Sequence, residues 1–104
     1  MTNKIFKTLL TGAFFTIGSA SVSLSAECIA PANPGGGWDF TCRSITKIMY
    51  DIGAVDSPVQ VTNMAGGGGG LAYAHVVNER NSDSELIVAA SSATATRLAQ
   101  NAYS

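Results

Sequence analysis

The chain has 104 residues, 46% of them hydrophobic and 12% charged, with eleven glycines, three prolines and a formal net charge of −1. That composition belongs to a globular chain and excludes disordered, collagenous and coiled-coil sequences. It also excludes a basic face for wrapping nucleic acid, so no nucleic-acid partner is expected. Any bound anion must be held locally, by backbone dipoles or a single side chain.

Residues 1–26 carry Lys4 and Lys7, then an uncharged apolar run, then small residues, which is the layout of a secretory leader. A permanent membrane anchor is the competing reading, because residues 8–26 are uncharged and approach the roughly 20 residues that a bilayer needs. Gly12, Gly18 and the Ser- and Ala-rich end make the second half too polar for a span. We place the junction after Ala26, which gives a mature periplasmic segment beginning at Glu27. Leu24, at the minus-three position, fits that cut poorly, and a cut after Ser25 obeys the small-residue rule better. Cys28 does not mark a lipoprotein, because Glu27 stands where a small residue should precede a lipidated cysteine. Without the leader, four basic residues (Arg43, Lys47, Arg80 and Arg97) face seven acidic ones.

Export into an oxidising compartment lets a thiol pair persist as a disulfide, and Cys28 and Cys42 are the two cysteines available. A bridge would close a loop of about 15 residues and stabilise the fold by about 3 kcal/mol. Two small buried thiols are the equal alternative. His75 is the sole histidine and there is no CxxC pair, so no metal site is expected.

The remainder divides into three units of one grammar: a short apolar run, a glycine- or hydroxyl-rich turn, and an amphipathic segment. Three βα units are the economical reading. In the first, residues 27–32 form a strand and Pro34, Gly35, Gly36 and Gly37 the turn. The helix starts near Asp39, with Ile45, Ile48, Met49 and Ile52 on one core-facing stripe and Gly53 as a left-handed stop. In the second, residues 58–64 alternate as a strand, residues 66–70 are five consecutive glycines, and a helix starts at Leu71. In the third, residues 86–90 form a strand buried on both faces, residues 91–96 a turn, and a helix capped by Thr94 or Thr96 starts at Arg97. The class is therefore α/β with a parallel sheet, whose ligands bind beyond the carboxyl ends of the strands. The sequence stops inside this last element, so we read it as the front portion of a larger protein.

The glycine run satisfies a permissive GxGxx[GA] spacing through Gly67, Gly69 and Ala72. Glu85 lies at the wrong end of the next strand for a ribose contact, and no GK[ST] follows. A tightly turned loop without a ligand is the plain alternative. A more economical chemistry uses close backbone approach and free amides at three helix starts, a cradle suited to a carboxylate. Asp39 serves as a helix cap or accepts a bond from a ligand. Arg97 offers a carboxylate fork or pairs with a surface acid. Trp38 and Tyr73 read as packing, and His75 as a packed or solvated residue. No catalytic residue emerges.

The strings ECIAPANPGGGWDFTCR, VTNMAGGGGGLAYAHVV and LIVAASSATATRLAQ, in that order, resemble the substrate-binding proteins of the tripartite tricarboxylate transporter system, the Bug-type extracytoplasmic solute receptors. The resemblance spans the mature stretch and implies a type II periplasmic binding protein fold. Only the first three βα units of lobe one are then present. It implies a non-enzymatic receptor for a small di- or tricarboxylate such as citrate, monomeric when full length, without a cofactor, serving a membrane permease. The contacts implied are Pro34, Gly35, Gly36, Gly37 and Asp39 after the first strand, and Ser91, Ser92, Ala93, Thr94 and Thr96 after the third. Glu27, Cys28 and Cys42 resemble the tricarboxylate branch. The alternatives are a nucleotide-binding α/β enzyme domain using the glycine run, and an inactive truncated gene product.

Overall fold

A computed structural model describes Gly18 and residues 26–103. The leader expected over residues 1–26 lies, Gly18 and Ala26 apart, outside them. Three strands, β1 (Glu27–Ala30), β2 (Gln60–Asn63) and β3 (Leu86–Val88), alternate with three helices, α1 (Gly37–Asp51), α2 (Gly70–Glu79) and α3 (Ser92–Ala99). A 3-10 turn, Gly67–Gly69, precedes α2. The sheet is parallel, in the order β2-β1-β3, with Glu27 opposite Gln60 on one side and Leu86 on the other. No helix among the described residues is long and apolar enough to cross a membrane.

Side chains alternate across a strand, and β1 divides its contacts accordingly. Cys28 and Ala30 join Cys42, Ala89, Trp38, Val59 and Val61 in a cluster on the α1 side. Glu27 and Ile29 face the other way, where Glu27 meets Arg80 at the end of α2 with an Nη2 to Oε1 distance of 2.8 Å. Thr62 donates to the same carboxylate at 2.6 Å. The Thr62 hydroxyl first, and Arg80 after it, hold the Glu27 carboxyl below the usual range.

Cys28 and Cys42 form a disulfide, with Cα atoms 5.8 Å apart, and this decides which way α1 faces. The buried positions of the helix are Asp39, Cys42 and Thr46. The expected isoleucine stripe lies roughly a quarter turn away at 100° per residue, and it is exposed: 52% at Ile48 and 73% at Ile52. The covalent tie outweighs the apolar periodicity. The buried polar groups are satisfied locally, Thr46 by donating to the Cys42 carbonyl at 2.7 Å. The end of α1 is as expected. Gly53, at φ +74°, donates to Tyr50 O at 3.1 Å and Ala54 to Met49 O at 2.9 Å, the paired bonds of a Schellman cap.

Further features differ from the sequence reading: the strands are shorter than the expected 27–32, 58–64 and 86–90, and the second helix starts at Gly70 in place of Leu71. The first helix begins at Gly37, two residues before Asp39. The third strand is not buried on both faces, since Ile87 is 38% exposed. Residues 92–96 are not a turn: the last helix starts at Ser92, with Ser91 as its cap in place of Thr94 or Thr96.

Candidate functional site at the carboxyl edge of the sheet

Because the strands are parallel, the turns after β1, β2 and β3 all leave from one edge. The 2-1-3 order places the reversal of winding between β1 and β3, so the first and third turns flank it.

The first turn is fixed from inside. Asp39 is 4% exposed and stands in the first turn of α1, not at its cap, which is Gly36. Its carboxylate accepts from the Gly35 amide at 2.8 Å, from Arg43 Nε at 3.0 Å and from Asn63 Nδ2 at 2.8 Å. Asn63 also donates to Ala32 O at 3.1 Å, tying the turn to the end of β2. Arg43 first, then the Gly35 amide and Asn63, lower the Asp39 pKa from 3.8 to about 2. Gly35 adopts φ +89°, a conformation that side-chain-bearing residues rarely enter. No side chain caps α1, so its first-turn amides at Gly37 and Trp38 have no side-chain acceptor, and these orphan donors carry the positive end of the helix dipole.

The third turn is built differently. The Ser91 hydroxyl accepts from the Ala93 amide at 3.3 Å, and Thr94 Oγ1 accepts from the Ser91 amide at 3.3 Å, a reciprocal capping box. Tyr73 Oη donates to Ala89 O at 3.1 Å and lies 2.8 Å from Thr94 Oγ1. With its one proton spent on Ala89, Tyr73 receives the Thr94 proton. The polar chain therefore runs from the Ser91 amide through Thr94 and Tyr73 to Ala89 O. Thr96 donates back to Ser92 O at 2.9 Å. Ser92 and Ala93 are exposed on the first turn of α3, and Pro34 is exposed across the edge. The two sets of predicted residues meet through aromatics: the Trp38 and Tyr73 rings pack edge to face with centroids 6.4 Å apart.

The glycine run lies beside them. Gly66 to Gly69 all have positive φ. A Cβ at Gly68 would stand 2.6 Å from the Arg97 guanidinium carbon, one at Gly69 2.7 Å from the Tyr73 ring, and one at Gly70 2.9 Å from the Tyr103 ring. Tyr103 also donates to Gly68 O at 2.7 Å. The approaches to Gly68, Gly69 and Gly70 are thus covered by the protein's own side chains, whereas Gly67 faces open space.

Sequence reasoning missed Arg43, Asn63 and Tyr103. Arg43 is four residues from Asp39, a helical ion-pair spacing that was legible. Asn63 and Tyr103 act across 24 and 35 residues, and no local pattern announces them. Compared with known proteins, the chain matches no family model, no curated protein and no solved structure.

Proposed function

We propose that this chain is an exported, non-enzymatic receptor for small carboxylates, of the tripartite tricarboxylate transporter type, which delivers its ligand to a membrane permease. One observation carries the reading. The turns after β1 and β3 flank the winding reversal of a parallel sheet, and the helix opening from the first of them has no side-chain cap. Uncapped helix amides favour a carboxylate by geometry and dipole together. Asp39 does not oppose the anion, because its charge is already neutralised by Arg43 and its oxygens are occupied. Its role is to hold the turn. In the type II fold that the motifs resemble, a second lobe closes over the bound carboxylate through contacts made only in the closed state. The proposal includes a monomeric receptor in the periplasm, its leader removed near Ala26, and chemistry that needs no cofactor.

Thermal unfolding of the full-length protein with citrate, NAD or ATP tests this. A citrate-dependent rise in Tm with no response to nucleotide is expected. A response to nucleotide alone overturns the receptor.

A further inference from the structure

Among the described residues, Arg43 pairs with Asp39, Lys47 with Asp51, and Arg80 with both Glu27 and Asp83. Arg97 alone of these four basic residues has no acidic partner and no side-chain hydrogen bond among the described residues. In a segment with more acids than bases this calls for explanation, particularly since Asp56 and Glu85 also stand outside any ion pair. Its guanidinium also has a defined neighbour. The guanidinium lies against Gly68, whose φ of +64° and missing side chain make the contact possible: a Cβ there would fall 2.6 Å from Cζ and 2.7 Å from Nε. Tyr103 clamps the Gly68 carbonyl, and Thr94, one helical turn before Arg97, is bonded to Tyr73. The glycine run thus keeps an unpaired planar cation on the same edge of the sheet as the uncapped start of α1.

We infer that Arg97 is a specificity-determining residue of this site, offering its fork to a carboxylate group of a di- or tricarboxylate. This rests on the receptor reading above and deepens it. Helix amides alone bind a carboxylate without counting how many the ligand carries. An unpaired guanidinium adds a second, charge-assisted and bidentate contact, so its contribution grows with the ligand's charge. Gly68 is then a positioning residue, which acts by leaving the guanidinium its place.

Calorimetric titration of citrate into the full-length wild-type protein and its Arg97→Gln and Arg97→Lys variants, with Tm measured for each, tests the inference. The glutamine variant is expected to lose at least about tenfold in citrate affinity, the usual scale for a hydrogen bond to a charged group. Its Tm should be unchanged, because Arg97 holds no acid in the fold. The lysine variant, with charge but no fork, should fall between. Wild-type affinity in Arg97→Gln overturns the role of Arg97 and leaves the receptor standing, whereas a full-length wild-type protein that binds no citrate overturns both. If Arg97→Gln fails to fold, the lysine variant decides: citrate affinity equal to wild type overturns the fork.

Discussion

The starts of α1 and α3 occupy equivalent places in two βα units, yet they treat their free amides in opposite ways. At α1 the cap is Gly36, which has no side chain to offer, and the turn is held from below by Asp39, Arg43 and Asn63. At α3 the Ser91 and Thr94 hydroxyls satisfy the first turn themselves. A helix start that must stay stable alone uses its own hydroxyls. One that leaves its donors open needs its rigidity from elsewhere, here a disulfide and a buried carboxylate.

The largest expected effect strikes the first region only. Replacing Cys28 and Cys42 by serine should lower stability by about 3 kcal/mol on the chain-entropy scale for a loop of this length, read from denaturant unfolding with and without reductant. Amide exchange should accelerate more at residues 35–43 than at residues 91–97. Equal acceleration in both would show that the disulfide does not act on the start of α1 in particular.

Acid should act next, again on the first region. Asp39 has its pKa lowered from 3.8 to about 2 in the fold, so its contribution is complete above the unfolded value and is lost as pH falls from about 4 towards 2. Glu27 and Asp83 are lowered too and add in the same sense. The difference between wild type and Asp39→Asn isolates the Asp39 share. It should shrink between pH 5 and pH 2, and a gap that stays constant would remove the carboxylate from the account.

Smaller changes sharpen the other side. Ser91→Ala should cost about 1 kcal/mol, the value of a lost hydroxyl cap, and leave exchange at residues 35–43 unchanged. Tyr73→Phe, which removes the link from Thr94 to Ala89 O, should cost about 0.5–1 kcal/mol and loosen α3 alone, as seen in its exchange rates.

Much of this architecture is local and could be read in the sequence. The three apolar runs became the three strands, the parallel sheet followed from their alternation with helical segments, and the glycine stop at Gly53 took the expected cap. The rotation of α1 could not be read, because it depends on whether Cys42 is bridged, and the residues left bridge and free thiols equally open. The start of α3 was missed for another reason: a run of Ser and Thr reads as a turn, although Ser91 and Thr94 have the three-residue spacing of a capping box. At the candidate site, Gly35 and Asp39 were visible. The third partner, Asn63, arrives only through strand pairing, as Ala30 faces Asn63 in the register.

Because Cys28 and Cys42 are joined, everything from the end of β1 to the opening of α1 sits inside one covalent ring. A protease that cuts between them would nick the ring without separating its pieces. On a denaturing gel the cut chain would migrate as one band until a reductant released two fragments, so digestion there is silent unless thiol is added.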